Sequence, residues 1–306
     1  MTARRGATGL SGLLVVDKPS GMTSHDVVAR LRRATGERRI GHAGTLDPLA
    51  TGVLLVLIGS ATRLERYLSG HDKSYRARIA FGAETDTLDS DGTVISEHEV
   101  PATVLDAASA REMLARFVGP QSQLPPVYSA IKRDGVPAYR LARAGAEIEM
   151  EPRDIVVHVA ELMDVDSDSA SWDVRFTVSK GTYIRSLARD IGRAAGSGAH
   201  LTALQRTGVG TLGIESSVSL DEACQTAEAG EISSLFVDPV PALGFPVIAG
   251  DPMTVRAGRP LAAPECRSFE IMSPVSVLVE GRLGAVYLQT ERGCLPETVF
   301  VPEVAR

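Results

Sequence analysis

The stretch Gly41-His42-Ala43-Gly44-Thr45-Leu46-Asp47-Pro48-Leu49-Ala50-Thr51-Gly52 stands directly before the apolar run Val53–Ile58. That run is short and contains β-branched residues, which predicts a buried strand. The preceding stretch is then a loop carried by a rigid core, and its glycines permit left-handed backbone or the close approach of a ligand. Because catalytic side chains often lie on loops held by a scaffold, His42 and Asp47 are candidate functional residues.

A simpler structural interpretation of the same stretch exists. Aspartate followed by proline is typical of a helix start, with Asp47 at the N-cap and Pro48 at the first helical position. A single histidine such as His42 is more often a structural hydrogen-bonding residue than a catalytic one. Taken alone, these residues favour the structural interpretation.

The composition indicates an enzyme-sized protein with one large domain and a small one, since 44% of the 306 residues are hydrophobic. No apolar run reaches transmembrane length, and the first residues lack the apolar core of a signal peptide. The three cysteines, Cys224, Cys266 and Cys294, lie far apart, so their spacing predicts neither a zinc pair nor a disulfide framework. These features favour a reduced, cytoplasmic location and no membrane partner.

The net charge of −6 conceals an uneven distribution. Residues 215–306 carry 13 acidic and 6 basic side chains, which leaves a net charge of +1 for residues 1–214. Two basic patches, in residues 26–39 and 132–143, could bind phosphates or could be solvated helix faces. The candidate RNA-contacting residues in them are Arg30, Arg33, Lys132, Arg133, Arg140 and Arg143.

Lysine is rare: 28 of the 32 basic residues are arginine. Lysine is a compact point charge and does not replace arginine at a tuned site. Each of the four lysines is therefore a candidate functional residue, and each lies in a segment that is of interest for another reason. They are Lys18, Lys73, Lys132 and Lys180.

The regions on either side of the opening stretch give regular patterns. Residues 13–17 predict a strand, and Thr23 with Asp26 predicts a capping box for a helix that ends near Gly36. Residues 61–68 predict a short helix, and residues 73–82 a half-buried strand that carries Tyr75. Alone, Tyr75 is better interpreted as a core aromatic residue than as a ring stacked on a base.

The middle of the chain contains two irregular segments. Residues 82–92 are acidic but lack the end carboxylates of a calcium loop, so we expect a turn between strands and no metal. Thr103 is expected to cap a helix that runs to Phe117. Residues 119–152 are rich in proline, basic residues and tyrosine, which is typical either of a nucleic-acid-binding insertion or of a peripheral subdomain with surface arginines.

Residues 155–162 and 172–178 predict two further strands, after which Gly181 breaks the pattern and a helix runs to about Ala195. Arg185 would lie early in that helix, where the macrodipole disfavours a cation. This position favours a specific carboxylate partner over an ordinary surface arginine. Beyond a helix start at residues 219–223, residues 238–252 predict a linker and the remainder a small β module.

Motifs in these segments resemble, in order, those of the TruB family, the bacterial tRNA pseudouridine-55 synthases. GHAGTLDPLATGVL resembles the signature loop of the family, and DKPSGMTSHDVV resembles its first motif. The resemblance covers nearly all of residues 10–215. The other matching segments are KSYRA, QLPPVYSAIK followed by AYRLARAG, SKGTYIRSLARDIG and GAHLTALQRTGVG.

The resemblance implies an α+β fold, with a mixed, largely antiparallel sheet and an RNA-binding insertion at residues 119–152. It implies a catalytic domain over residues 1–245 and a small, β-rich, PUA-like domain over residues 246–306. The RAGRPL segment of the latter resembles the PUA domain only weakly. Composition alone gives no more than a mixed α/β enzyme-sized domain.

The resemblance also implies isomerisation of uridine 55 in the T loop of tRNA. Asp47 would be the nucleophile, Arg185 its ion-pair partner, and Tyr75 would stack on the flipped base and assist removal of the C5 proton. His42 would fill the space that the base leaves, and Tyr183 and Leu204 would line the pocket, although Leu204 alone predicts only a core leucine. The other implied contacts are Lys18 (with Pro19, supporting Tyr75) and Lys180 for the substrate, and Arg206 for RNA.

The implied isomerisation involves no redox change, so we expect no cofactor and no metal. We expect the T stem-loop of tRNA as partner, with the acceptor end contacted through the C-terminal domain, and a monomer that needs no protein partner. Gln205 departs from the family, which has a basic residue there. The alternatives are an RNA-binding or RNA-folding protein, which would not need Asp47 or Tyr75, and a synthase with another target uridine.

Overall fold

A computed structural model describes residues 8–129, 132–133, 136–137, 149–261, 270–291 and 293–305. The chain forms two compact units. The first comprises Met1–Pro48, Gly52–Gly70 and Gly210–Arg306, and the second comprises Leu49–Thr51 and His71–Val209.

The strands and helices are numbered in chain order. The strands are β1 (Gly12–Lys18), β2 (Ile40–Ala43), β3 (Thr51–Ile58), β4 (Lys73–Phe81), β5 (Ala83–Thr85), β6 (Val94–Glu97), β7 (Gly119–Gln123), β8 (Lys132–Arg133), β9 (Val136–Pro137), β10 (Arg153–Asp166), β11 (Ser171–Val178), β12 (Ala199–Val209), β13 (Leu212–Gly213), β14 (Val218–Ser219), β15 (Val247–Ala249), β16 (Pro274–Val279), β17 (Arg282–Thr290) and β18 (Gly293–Val304). The helices are α1 (Ser24–Thr35), α2 (Glu65–Leu68), α3 (Ala107–Ala115), α4 (Ile184–Ala194), α5 (Leu220–Glu228), α6 (Pro239–Leu243) and α7 (Pro252–Arg256), with 3-10 turns at Gly59–Leu64, Ala102–Val104, Ile214–Ser216 and Ile232–Leu235.

In the first unit, β3 is antiparallel to both β1 and β2, and the short β14 is parallel to β1. The side chains of residues 53–58 are fully buried, as the apolar run predicts. Burial of each large apolar side chain contributes about 1.5–3 kcal/mol, so this strand gives the unit a rigid base. The residues just before it are therefore carried by the most buried part of the unit.

Helix α1 begins as the sequence predicts. The Thr23 side chain accepts from the Asp26 backbone N–H, and the Asp26 carboxylate accepts from the Thr23 backbone in return. The helix ends at Gly36, whose φ of 69° is left-handed and suits a residue without Cβ. Its buried face includes Ser24 and Val27, so the first turn of α1 is fixed against the core.

The second unit is built on an antiparallel sheet in the order β12-β4-β11-β10-β7. Together with the antiparallel pairs of the first unit, it confirms the mixed, largely antiparallel α+β class. Helix α4 has its buried face on this unit, and β5 with β6 forms a small hairpin. Of the insertion expected over residues 119–152, β7 forms the first five residues, and the residues between β7 and β10 are described only in part.

The C-terminal β module is also part of the first unit. Strand β15 is parallel to β16, and β16, β17 and β18 form an antiparallel sheet around an apolar core that includes Val277 and Tyr287. The Tyr67 hydroxyl donates to Glu297 Oε2 at 2.7 Å, and Arg66 pairs with Glu297 Oε1 at 2.6 Å. Burial raises the pKa of Tyr67 to about 12, and the Glu297 carboxylate adds to this. Strand β18 is thus tied to α2.

Several predicted elements are wrong in detail. Only the second half of the helix expected over residues 61–68 is α-helical (α2), and the first half belongs to the 3-10 turn Gly59–Leu64. The cap of α3 is Asp106, whose side chain accepts from Ser109 N, and not Thr103, which lies in a 3-10 turn. The supposed linker at 238–252 contains α6, β15 and the start of α7.

The opening stretch also differs from its prediction. Residues 40–43 form β2, so His42 lies on a strand and not in a loop. Residues 47–50, all within the described range, form a bend rather than a helix, so Asp47 does not act as an N-cap. The structural interpretation of Asp47 is therefore wrong.

Cys224 is a buried free thiol. Cys294 is disulfide-bonded, which corrects the expectation of no disulfide at that position. Within the described ranges, none of the helices has the length and apolar character needed to span a bilayer.

Candidate active site

The backbone after Asp47 is held by the turn between β1 and α1. The Pro48 carbonyl accepts from Gly21 N at 2.9 Å and from Lys18 Nζ at 3.3 Å. Lys18 is fully buried, and its ammonium also donates to Pro19 O at 2.8 Å and Met22 O at 2.7 Å. Lys18 therefore anchors the backbone of the Asp47 loop, and its expected roles in supporting Tyr75 and in substrate binding stay predictions.

The backbone before Asp47 is held by Ser24, at the start of α1. The Ser24 hydroxyl accepts from Leu46 N at 2.9 Å and donates to Leu46 O at 3.2 Å. Ser24 has no exposed surface. Because both neighbours of the half-buried Asp47 are fixed, the Cα–Cβ direction of this residue is set by contacts outside the loop. Gly44 and Gly52 flank the segment with φ of 92° and 96°, values that favour glycine.

His42 lies on β2, opposite Val56 of β3. Its ring meets the ring of His25 edge to face, with centroids 5.3 Å apart and planes at 89°. His25 is at the start of α1, one residue after Ser24. The histidine is thus half-buried in the same unit as Asp47.

Tyr75 and Leu204 lie on neighbouring strands of the second unit. In register, Tyr75 of β4 is opposite Phe176 of β11 on one side and Arg206 of β12 on the other. Tyr75 and Leu204 are each 7% exposed. Burial fixes the orientation of these two side chains, which suits the wall of a pocket as well as a core.

Arg185 is held through its guanidinium group. Nη1 donates to Thr87 O at 2.7 Å, Nη2 donates to Tyr128 O at 3.0 Å, and Nε lies 3.6 Å from Asp89 Oδ2. Both side chains of the Arg185–Asp89 pair are nearly buried. The sequence predicts a specific carboxylate partner for this arginine, and Asp89 is one such partner. The pairing of Arg185 with Asp47 stays a prediction.

Asp89 is a site residue that the sequence reasoning missed, because the acidic loop was considered only as a metal site. Its carboxylate also accepts from Thr87 Oγ1 at 2.6 Å and Asp91 N at 3.2 Å. Its backbone carbonyl accepts from Thr85 Oγ1 at 2.7 Å. The sequence offered a signal for Asp89: the acidic loop could supply the carboxylate partner that Arg185 was expected to need.

Lys73, Lys180 and Arg206 form a group of cations in the second unit. Burial lowers the pKa of Lys73 to about 8, and the charges of Arg206 and Lys180 contribute, opposed by Asp72. Lys73 Nζ donates to His71 O at 2.6 Å. Arg206 is only 1% exposed, which does not fit a phosphate contact at the surface, and its role in RNA binding stays a prediction. Lys180 is exposed, as a substrate contact requires.

The remaining RNA-contact candidates differ in their surroundings. Arg30 forms a salt bridge with Asp221 of α5 at 2.7 Å, so phosphate binding would compete with that bond. Arg33 is exposed on α1. Arg140 and Arg143 lie outside the described residues, as do the side chains of Lys132 and Arg133.

Among the residues that the structure describes, no group of three or more His, Cys, Asp or Glu side chains could hold a metal ion. The chemistry available from the described groups is that of a half-buried carboxylate, buried arginine and tyrosine side chains, and exposed cations.

Comparison with known proteins bears on this arrangement. Residues 32–184 match the N-terminal domain model of the TruB family pseudouridylate synthases, and residues 185–234 match the tRNA pseudouridylate synthase B C-terminal domain. The tRNA pseudouridine synthase B of Geobacter sulfurreducens is 43% identical over 255 residues, 82% of this chain and 83% of the relative. The chain belongs to the TruB family. The match includes the loop of Asp47, Tyr75 and Asp89, all within residues 32–184.

Other TruB relatives extend the match. The tRNA pseudouridine synthase B of Thermobifida fusca is 46% identical over 242 residues, 77% of this chain and 80% of the relative. That of Geotalea uraniireducens is 37% identical over 294 residues, 94% of this chain and 93% of the relative. The TruB similarity therefore reaches beyond the catalytic motifs into the C-terminal part of the chain.

Solved structures confirm the fold. A chain in the crystal structure of a Cbf5-Nop10-Gar1 complex superposes with a TM-score of 0.71 at 25% identity, covering 94% of this chain and 84% of that one. A chain of an H/ACA RNP bound to a substrate RNA containing 2'-deoxyuridine superposes with a TM-score of 0.70 at 23% identity, covering 94% and 84%. This TruB member thus has the α+β fold that its motifs imply.

Proposed function

We propose that this protein is a tRNA pseudouridine(55) synthase, an isomerase that converts uridine 55 in the T loop of tRNAs to pseudouridine. Membership of the TruB family and the names of its relatives support this activity. The observation that carries the proposal is the Asp47 loop. Its flanking residues are fixed by Ser24 on one side and by Lys18 and Gly21 on the other, so that a carboxylate is oriented without capping a helix.

The reaction explains the need for a carboxylate. Uridine must lose its N1–C1′ bond, turn while it is held, and rejoin through C5, with loss of the C5 proton and gain of a proton at N1. A group that forms and then releases a bond must be a competent leaving group, and a carboxylate qualifies, as in glycosidase intermediates. Asp47 is the nucleophile in this proposal. The chain needs no cofactor for it, because no electrons are exchanged with an external acceptor.

The target base must leave the folded T loop, at a cost of a few kcal/mol. In the proposal, His42 fills the vacated space, and Tyr75 stacks on the flipped base and assists removal of its C5 proton. Tyr183 and Leu204 complete the pocket, and Lys180 contacts the substrate. The burial of Tyr75 and Leu204 and the exposure of Lys180 support these roles.

In the proposal, Arg185 is the ion-pair partner of Asp47. Its ion pair with Asp47, which the family resemblance implies, directs that carboxylate. Asp89 and the carbonyls of Thr87 and Tyr128 in turn orient the guanidinium group. A planar fork that binds several acceptors at once suits this task better than a point charge.

The substrate range and setting are part of the same proposal. The protein acts in the cytoplasm as a monomer on the T stem-loop, through a catalytic domain at residues 1–245 and its insertion at residues 119–152. The PUA-like domain at residues 246–306 reaches the acceptor end. Exposed Arg33 and the basic residues of the insertion supply phosphate contacts.

The test is release of tritium from a T-arm RNA labelled at C5 of its uridines. Wild type should release one equivalent of tritium per RNA, and an RNA with cytidine at the position of uridine 55 should release none from that position. Asp47→Asn should release none while it still binds the RNA. Tight binding without release by wild type would instead support an RNA-binding protein or a synthase for another uridine.

A further inference from the structure

The segment Ser179–Tyr183 is bonded to both ends of the predicted insertion at residues 119–152: to β7, which forms its first five residues, and to β10, which follows it. On the returning strand β10, Val156 N donates to Ser179 Oγ at 2.9 Å, and Val156 O accepts from Ser179 N at 2.8 Å. On the entering strand β7, Gln123 bonds to Tyr183. The turn before α4 is therefore held at each end by one root of the insertion.

The Gln123 amide makes a reciprocal pair of hydrogen bonds to the Tyr183 backbone. Its Oε1 accepts from Tyr183 N at 2.9 Å, and its Nε2 donates to Tyr183 O at 3.1 Å. Gln123 is 2% exposed. Tyr183 is the N-cap residue of α4, a position usually filled by a short polar side chain that satisfies nearby backbone groups. The Tyr183 side chain makes no such cap, and Gln123 instead bonds the N–H and C=O of Tyr183 itself from another strand.

The residues after Gln123 continue the contact along α4. Leu124 O accepts from Ser186 Oγ at 2.9 Å and from Arg189 Nη2 at 3.0 Å. Tyr128 O accepts from Arg185 Nη2 at 3.0 Å. Residues 123–128 thus follow the first two turns of the helix, and the side chains of Arg185, Ser186 and Arg189 donate hydrogen bonds to them.

We propose that Gln123 is a positioning residue, which fixes Tyr183 and the first turn of α4 to the root of the RNA-binding insertion and so orients Tyr183 and Arg185 for the reaction. The inference rests on the proposed function for the identity of the reaction. It adds a mechanical link: one buried amide connects the first strand of the insertion, β7, to the N-terminus of the helix that carries Arg185.

The amide chemistry of Gln123 makes the role specific. Methionine has similar length but offers neither hydrogen bond, so the Tyr183 N–H loses its acceptor inside the protein. An ionised glutamate can accept from Tyr183 N with one carboxylate oxygen. Its other oxygen has no proton to donate and repels the carbonyl oxygen of Tyr183. A protonated glutamate restores both bonds, because its O–H donates to the carbonyl.

The first experiment compares Gln123→Met with Gln121→Met, a matched change on the same strand at a residue whose amide donates to Phe117 O. Gln123→Met should lower the single-turnover rate at saturating T-arm RNA by about 10- to 100-fold and leave the RNA Kd within about twofold. Gln121→Met should leave both unchanged. A wild-type rate in Gln123→Met, or an equal loss in both variants, would overturn the proposal.

Hydrogen exchange supplies a readout that does not depend on turnover. In Gln123→Met, peptides that cover residues 179–190 should exchange at least about fivefold faster than in wild type and in Gln121→Met. Unchanged exchange there would overturn the anchoring role. If wild type released no tritium from T-arm RNA, the proposed function would fail while the exchange measurement still decided the anchoring role.

Gln123→Glu gives a second test that survives poor folding of the methionine variant. The charged groups beside the new carboxyl would be Arg153, opposite in register on β10, and Arg185 and Arg189 on α4. Relative to wild type, the rate of this variant should rise as the pH falls and the carboxyl takes up a proton. A ratio of rates that stays constant with pH would count against the reciprocal bond.

Discussion

Three Asp-Pro pairs occur in the chain, and they behave in two ways. At Asp238–Pro239 and Asp251–Pro252, a helix begins, and the carboxylate accepts from the backbone at Val240 N (3.0 Å) and Thr254 N (2.8 Å). At Asp47–Pro48, the chain bends and continues into β3. The same dipeptide thus begins a helix in two regions and does not begin one in the third.

The difference lies in what holds the neighbouring backbone. Around Asp47, the polar groups of Leu46 and Pro48 are bonded by Ser24, Gly21 and Lys18. Around Asp251, the aspartate satisfies a backbone N–H itself. The comparison teaches that a local capping signal is overridden where side chains from another element satisfy the backbone first. A carboxylate that is relieved of capping can be used in a reaction.

The largest effect is expected for Asp47→Asn. Turnover should fall by about four orders of magnitude, because the amide is a poor nucleophile and a poor leaving group. RNA binding and the far-UV circular dichroism spectrum should persist, since no helix depends on this residue. Tritium release, filter binding and circular dichroism measure the three quantities. Joint loss of activity, RNA binding and helix content would mean that Asp47 is a structural residue like the other two aspartates.

Arg185→Lys should reduce turnover by about 100-fold or more. Lysine keeps the charge but cannot serve Asp89, Thr87 O and Tyr128 O at once with a planar fork. The matched control is Arg193→Lys on the same helix, where a bidentate pair with Glu84 (2.8 Å for each bond) is lost away from the site. That control should keep its turnover. Near-normal turnover in Arg185→Lys would refute the orienting role of the guanidinium group.

Ser24→Ala sharpens the comparison by removing one side of the backbone support. It leaves the N–H and C=O of Leu46 without the hydroxyl, at a cost of about 2 kcal/mol in the free energy of unfolding. Turnover should drop about tenfold through misorientation of Asp47. Ser11→Ala, at a buried serine bonded to Ser60 Oγ, should cost stability without changing turnover. Urea denaturation and tritium release distinguish the two, and equal turnover in both variants would argue against an anchor.

Asp251→Ala should have the smallest effect and the opposite pattern. Turnover should be unchanged, and the midpoint of unfolding at pH 7 should fall slightly, because a helix cap is lost. The hydrogen bond from Thr254 N lowers the pKa of Asp251 below 3.8, so the cap stabilises the fold above that pH and its contribution is lost as the pH falls further. The midpoints of wild type and variant should therefore converge in acid. A difference that persists there would mean that the carboxylate charge is not the cause.

The elements that the sequence predicts well are those with local signals. Strand β4 follows from the alternation through Tyr75, and α1 follows from its capping box, because these signals lie within a few residues. The short α2 and the cap of α3 were mispredicted because 3-10 and α turns share the same residues and differ only in packing. The supposed linker was wrong since its prolines occupy first helical turns.

The candidate site likewise contains residues that local motifs identify and contacts that only the fold reveals. Family motifs identify Asp47, Tyr75 and Arg185 as candidates, yet the contacts that orient them join residues far apart in sequence. Asp89 is almost one hundred residues from Arg185, and Gln123 is 60 residues from Tyr183. A single sequence contains no record of such distances, so the residues that support the chemistry became evident only in the fold.

The two units differ in how early their residues become available during synthesis of the chain. The second unit is nearly continuous, from His71 to Val209, whereas the first needs both early and late residues. Strand β1 pairs with β14, and Ser11 O accepts from Ala305 N at 2.9 Å. During synthesis, all residues of the second unit are available before β14 and β18 of the first unit have been made, so the second unit can fold earlier. The loop of Asp47 therefore belongs to the unit that is completed only after β14 and β18 have been synthesised.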